Sequence, residues 1–411
     1  MRNGLRRYIN PRNRDPIPAM SLLFARDKAL DPRVTFTRAS SGTYFDASGV
    51  MQTASTNVPR FTHDPSTLQS LGLLIEGSRT NLLKYSEEFD NGAWVKSNAT
   101  ISANAITAPD GTITADKFTE TTSSAAPLNY TGASFISGTS YTLSVFAKDA
   151  GRRYIGVWGG TAFGNGIVFF DMQEGVVTFA SGAVGYSITP IGDGWYYLTV
   201  TDVSPLSASS NVGFQLSNDG TNSSYTGDGT SGIYIWGAQL EAGSSPTSYI
   251  KTTSSAATRA ADVPLLTGSN FSSVVDITKG SLFAAYRSIG VGTRPIVSID
   301  DDSTNNQFRV YTSTLDPKFT VVSGGSTVAD LDAGTITANA DGGIAAAYAV
   351  NDYAVSSNGG AAVTDTSGAL PVSPTIMRIG HDKAGNYLNG PLASLAVYPA
   401  RLSNSYLAYL S

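Results

Sequence analysis

The sequence predicts an all-β protein of two antiparallel β-sandwich (jelly-roll) domains, preceded by a largely irregular N-terminal segment. Three observations predict this. Short alternating runs separated by turn residues fill most of the 411 residues. Charged residues are only 14% against 41% hydrophobic, so Ser, Thr, Asn and Gly must supply the polar surface. A small, polar stretch, TTSSAATRAADVP (Thr252 to Pro264), divides two β-rich regions of similar size.

Residues 1–80 read as irregular. Pro11, Pro16 and Pro18 prevent a long helix. Ser21 to Asp31 has the pattern of a short helix that is too short to stand alone. Val34 to Arg38 and Thr43 to Phe45 read as extended, with DASG as a turn in which Gly49 is free to take positive φ. This segment has little core of its own and is expected to dock onto something else.

From Asn81 to about Ile250 strand follows strand. YTLSVFAKD alternates, with Leu143, Val145 and Ala147 on one face. In GWYYLTV, Trp195 and Tyr197 share one face, Tyr196 and Leu198 the other. GIYIWGAQLEAGSSPTSYIKT (Gly232 to Thr252) reads as the strand that closes the domain. Trp236 or its neighbour Tyr234 is expected inside, with Gln239 and Glu241 tying the strand end and Pro246 stopping the pairing. A second β region starts near Asn270, and NSYLAYLS reads as one closing helical turn. The expected division is 1–80 for attachment, 81–258 for the first sandwich and 259–411 for the second.

Composition excludes several classes of function. A net charge of -5 disfavours nucleic-acid binding. The absence of cysteine removes disulfides, thiolate catalysis and cysteine-ligated zinc. No apolar run reaches membrane-spanning length. The basic start MRNGLRRYINPRNRDP has no apolar segment after it, so it does not read as a secretory signal.

Little in the sequence suggests covalent chemistry. The only histidines, His63 and His381, fall in different expected domains, and both read as turn residues. Glycoside hydrolysis needs two spaced carboxylates, yet Glu is absent after Glu241. SIDDDSTNNQF places Asp300, Asp301 and Asp302 on one loop, where hard oxygen ligands could hold Ca²⁺, although a polar hairpin tip is the simpler reading. No other cofactor is expected. Sugar rings stack on exposed aromatic faces, and Trp158, beside glycines in VWGGTAFGNG, is the first candidate, with Phe163 and Tyr225 alongside it.

GLLIEGSRTNLL, EFD…W, PDGT…ADKF, and the closing YIWGAQLEAGSSPTSYI followed by TRAADV resemble modules of tailed-phage structural proteins. The upstream FTRASSGTYFDASGVMQTASTNVPRFTHDP resembles their usual N-terminal companion, and TIMRIGHDKAGNYLNGPLASLAVYPARLSNSYL resembles a concanavalin A-like (laminin G-like) jelly roll. The resemblance implies a virion fibre or spike subunit with a carbohydrate-module-like sandwich. It implies adhesion to host-surface polysaccharide without catalysis, and a homotrimer among other virion proteins, with no nucleic acid or membrane partner. Arg2, Arg6, Arg7, Arg12 and Arg14 precede the first acid, Asp15, and would be the virion anchor. A structural connector or head decoration is the alternative, and a capsule-degrading glycosidase a third.

Overall fold

The computed structural model describes residues 16–287 and 292–411. Arg2, Arg6, Arg7, Arg12 and Arg14 lie outside the described residues. The fold is all-β, made of two antiparallel sandwiches.

The first sandwich pairs two six-stranded sheets. One runs Gly185–Gly192, Trp195–Val203, Ser140–Ala150, Gly232–Ala242, Ala115–Glu120, Ala99–Ile106. The other runs Val176–Ser181, Ile167–Asp171, Tyr154–Gly159, Ala208–Ser217, Leu128–Phe135, Val95–Ser97. Period-two alternation sends Leu143, Val145, Ile155, Val157, Phe214 and Ile235 into the shared core. Trp94 closes it by stacking on Phe214 at 5.9 Å.

The second sandwich is assembled from both ends of the chain. The sequence expects residues 1–80 to be largely irregular, and for the described residues 20–75 the structure corrects this. Met20–Leu22 and Ser70–Ile75 both pair with Gly390–Tyr398, and Phe61–His63 pairs with Ser70–Ile75. Thr35–Thr37 extends the opposite sheet through Val263–Thr267. Met20, Leu22, Leu73 and Ile75 are buried in one core with Leu282, Phe308 and Val397. These strands are short and carry few apolar residues, so they gain stability only by burial against strands some 200 to 370 residues away. The expected helix shrinks to Phe24–Asp27, ended by Lys28 at φ 49°. The first sandwich is thus inserted into the second, and Arg79–Asn81 pairing with Ala257–Arg259 closes its base.

At that base lies a buried ion cluster. Arg38 Nη1 is 3.0 Å from Asp262 Oδ1, and Arg60 Nη2 reaches both Asp262 and Glu76 Oε2, the latter at 2.8 Å. Arg259 Nη2 lies 3.5 Å from Glu76 Oε2 and donates to the Gly77 carbonyl at 2.9 Å. The backbone N–H of Glu76 donates to Asp262 Oδ2 at 2.9 Å, and that of Asp262 donates to the Glu76 carbonyl at the same distance. All five side chains are essentially without solvent contact. A Cβ on Gly42 would come within 3.3 Å of all three arginines, so a side chain there has no room.

A second apolar cluster joins the sandwiches. The hairpin Gly42–Phe45/Met51–Ala54, turned by Gly49 at φ 77°, lies on the outer face of the first six-stranded sheet. There Met51 packs with Phe146, Trp195, Trp236 and Tyr249. Trp236 is 1% exposed, so it is buried on the outside of the sandwich rather than in its core. Gln239 and Glu241 tie the following turn. Ile250 N donates to Gln239 Oε1 and Thr247 N to Glu241 Oε1, both at 2.7 Å. The C-terminal helix Asn404–Leu410, capped by Ser403, covers an alanine-rich outer face of the second sandwich.

The joint can be tested by substitution. Asp262→Asn should lower stability by about 3–5 kcal/mol in urea unfolding, because it leaves buried arginines short of a partner, and Trp236→Ala should lower it by about 3–5 kcal/mol. Burial opposes ionisation of Glu76, but Arg259, Arg60 and the Ser248 hydrogen bonds overcome it and hold the carboxyl down at about 2. A carboxyl held below its unfolded value stabilises fully above about pH 4.5, and that stability is lost as pH falls toward 2. Glu76→Gln should therefore flatten the acid limb of the pH–stability curve.

Candidate functional site

The structure separates the residues that the sequence groups. Phe163 is 1% exposed and packs on Phe135 in the core of the first sandwich, which corrects its place as a sugar contact. The chain folds back there because Gly159 has no side chain; a Cβ on it would sit 2.3 Å from the Phe163 ring. Tyr225 is likewise a structural clamp. Its hydroxyl donates to Glu120 Oε2 at 2.5 Å, and the Arg152 guanidinium lies 5.2 Å from its ring centre. The same buried Glu120 accepts Arg152 Nε at 2.9 Å and the Asp228 N–H at 2.8 Å, which holds the loop before Gly232.

The three aspartates do not converge on a cation. Asp300 is buried and accepts from Arg378 Nε at 2.9 Å. Asp302 takes Arg378 Nη2 at 2.7 Å and Lys383 Nζ at 2.8 Å. Asp301 folds onto Ser303 and Asn306. Two cations from the Ile376–Ile379 strand and the loop after it thus pair with Asp300 and Asp302, a partnership invisible in the local sequence. Among the described residues, no group of three or more His, Cys, Asp or Glu could hold a metal ion. His381 is buried against Tyr387, with ring centres 5.4 Å apart; burial and nearby Arg378 push it down to about 4, so it is neutral at pH 7.

Trp158 is placed differently. It lies on the outer face of the second six-stranded sheet, with core residues Val157 and Ile155 pointing the other way. Cross-strand register builds two outward rows. One is Val95, Tyr130, Gly213, Trp158, Ile167, Ser181; the other is Ser97, Leu128, Gln215, Gly156, Phe169, Phe179. Each row has a glycine beside its aromatics. A Cβ on Gly213 would meet the Tyr130 backbone at 2.6 Å, and one on Gly156 would meet Gln215 Cγ and Phe169 Cε1, each at 2.8 Å. Tyr130 and Trp158 thus lie side by side over bare backbone, ring centres 5.9 Å apart. Both are partly exposed. The Trp158 Nε1 is buried without a partner, so the indole offers its ring carbons rather than its N–H.

The rest of the face suits a hydroxylated ligand. Phe179, 39% exposed, lies 6.3 Å from the Phe169 ring on the edge strand. Gln215 is 7% exposed, yet its amide makes no hydrogen bond among the described residues, and Asn211, one position beyond Trp158's row, is exposed. The one carboxylate at an outward strand position is Asp171, held by Arg153 through Nε at 2.9 Å and Nη2 at 2.6 Å. The face therefore has no pair of free carboxylates for acid–base hydrolysis. Tyr130, Gln215 and Phe179 are absent from the sequence-based candidates. Alternation signals that they share a face with one another's strands, but only the register shows which of them meet Trp158.

A separate cavity of about 250 Å³ opens at the joint, lined by Phe45, Phe146, Tyr197, Tyr249 and Glu76. Its polar wall is already engaged, since Glu76 accepts Ser248 N and Oγ at 2.7 and 2.6 Å.

The fold and this face define a β-sandwich protein with an aromatic, uncharged sheet surface. No protein-family model matches the chain, and no curated protein matches it. Solved structures do. The CBM40 of the Ruminococcus gnavus IT-sialidase, bound to α2,6-sialyllactose, aligns at 14% identity with a TM-score of 0.31, over 34% of this chain and 87% of that one. Domains LG4–5 of the mouse laminin α1 chain align at 11% identity and TM-score 0.25, over 65% of this chain and 84% of that one. A botulinum neurotoxin type C structure, whose cell entry is described as dependent on two ganglioside molecules, aligns at 9% and 0.29; the match spans 36% of this chain and 39% of that one. Scores this low leave the ligand to be argued from the residues of this chain.

The pairing of Asp300 and Asp302 with cations has a measurable consequence. Millimolar calcium or a chelator should leave the melting temperature unchanged, whereas Asp300→Ala should lower stability by roughly 2–4 kcal/mol by taking from Arg378 its buried partner and leaving only Asp302. A rise in melting temperature with calcium would reinstate the loop as a metal site.

Proposed function

We propose that the protein is an adhesin that binds glycans through the outer face around Trp158, as the surface-exposed subunit of a virion fibre or spike. One observation carries the binding reading. Tyr130 and Trp158 lie together, partly exposed, over Gly213, beside the unengaged amide of Gln215. Pyranose C–H groups stack on such rings while amides bond the hydroxyls at the sugar's edge. The ordered motifs from FTRASSGTYFDASG to TRAADV support the virion part of the reading, as does a surface built from Ser, Thr and Asn rather than charge. Binding at one such face is expected to be weak, and several copies on one fibre would raise it by avidity. A connector fibre that binds nothing is the second reading, favoured by the buried ion cluster, which is suited to a rigid joint.

Binding of the full chain to an array of host-surface polysaccharides tests the adhesin. Trp158→Ala should weaken binding roughly tenfold or more, equivalent to about 1.4 kcal/mol, with little change in melting temperature. Undiminished binding by that variant would move the site elsewhere, and no binding to any glycan would leave the connector. Light scattering tests the trimer expected of a fibre: the mass should be three times the 42.9 kDa chain, and a monomer would rule it out.

A further inference from the structure

We infer that the ligand of the Trp158 face is an uncharged oligosaccharide chain, read along the sheet, rather than a single acidic terminal sugar. The inference rests on the adhesin reading and specifies its ligand class.

Charge comes first. The outward positions of the six strands carry no Lys or Arg. The basic side chains on or flanking these strands are engaged elsewhere. Lys96 Nζ donates to the carbonyls of Asp90, Asn91 and Trp94, each within 2.9 Å. Arg152 is held by Glu120, and Arg153 by Asp171, with Glu174 at 3.6 Å. A sialic acid, uronic acid or sulfated sugar would thus bring its anion to a face without a free cation among the described residues, and would surrender hydration without a compensating ion pair there. Amides, by contrast, meet neutral hydroxyls with both donors and acceptors.

The second argument is length. Stacking positions occur at two places. Tyr130 and Trp158 form one, and Phe179, exposed and backed by the buried Phe169, forms the other. Phe179 sits two strands across from the Trp158 strand and one outward position along it, through the pairs Gly156↔Phe169 and Phe169↔Phe179. With strands about 4.8 Å apart, the two patches are separated by about 10 Å across the sheet, wider than one sugar ring. Gln215 lies in the same row as Phe179, on the strand between those of Tyr130 and Trp158, so it flanks the first patch. A chain of linked pyranoses would rest on both patches. A single ring could use only one.

The test uses the full chain against a printed panel of neutral, sialylated, uronic-acid-containing and sulfated oligosaccharides, with the corresponding monosaccharides in solution. Neutral oligosaccharides should bind, and their monosaccharides should bind at least about tenfold more weakly. Affinity should be unchanged between about 0.05 and about 0.5 M salt, since no ion pair is screened. Phe179→Ala should weaken oligosaccharide binding several-fold and leave monosaccharide binding unchanged, whereas Trp158→Ala should weaken both. Phe179 is on the edge strand, so this variant should keep the parent melting temperature, which is measured alongside. Binding confined to acidic glycans, or falling steeply with salt, overturns the inference while leaving the adhesin intact. Equal affinity for monosaccharide and oligosaccharide overturns the length argument. Failure to bind any member of the panel overturns the adhesin reading and the inference with it.

Discussion

The cluster of Arg38, Arg60, Arg259, Glu76 and Asp262 is the constraint on which the rest of the structure depends. Three guanidinium groups and two carboxylates are withdrawn from water at the one place where the chain leaves the second sandwich and returns to it. Removing so many charges from water is expensive, and a well-packed apolar joint could be as stable. What the ions add is direction. Each carboxylate accepts from named atoms on separate segments, so one arrangement of the two crossing strands brings both carboxylates onto the three guanidinium groups. The Glu76 N–H also donates to the Asp262 carboxylate and the Asp262 N–H to the Glu76 carbonyl, which locks the outgoing strand to the returning one.

That joint decides which surfaces remain available. The hairpin Gly42–Phe45/Met51–Ala54 is drawn over the first six-stranded sheet and buries Trp195 and Trp236. The helix Asn404–Leu410 covers one sheet of the second sandwich. The outer face carrying Trp158 has neither cover, and Tyr130, Trp158 and Phe179 stay partly exposed although Phe169 is buried. The same residue type is therefore structural on one sheet and available for binding on the other. Sheet membership makes the difference, not intrinsic chemistry. On the open face the glycines Gly156 and Gly213 do what the alternation cannot, because bare backbone lets flat rings lie down beside it.

Much of this was legible in the chain, for reasons that differ between residues. Alternation in YTLSVFAKD and GWYYLTV identifies the strands and which residues share a face because side-chain direction repeats every two residues, while only the structure puts Leu198 in the core and Trp195 on the outer face. The motifs GLLIEGSRTNLL and TRAADV stood out in the chain, and their Glu76, Arg259 and Asp262 prove to be members of the buried cluster. Phe163, Tyr225 and the aspartate triplet were misleading. Their neighbours in sequence suggested exposed loops, but the partners that claim them, Phe135, Glu120 and Arg378, come from distant strands.

By itself, then, the sequence determined the all-β class, the strand faces, the polar boundary near Thr252 and the lack of thiol chemistry, since these depend on local periodicity and composition. Only the tertiary structure decided that strands within residues 20–75 belong to the far sandwich, that Trp236 is covered while Trp158 is not, and that Tyr130, Gln215 and Phe179 share Trp158's face. Those outcomes depend on which strands pair and in what register. Pairing partners here lie tens to hundreds of residues apart, and a hydrogen-bonded ladder leaves no mark on either strand alone.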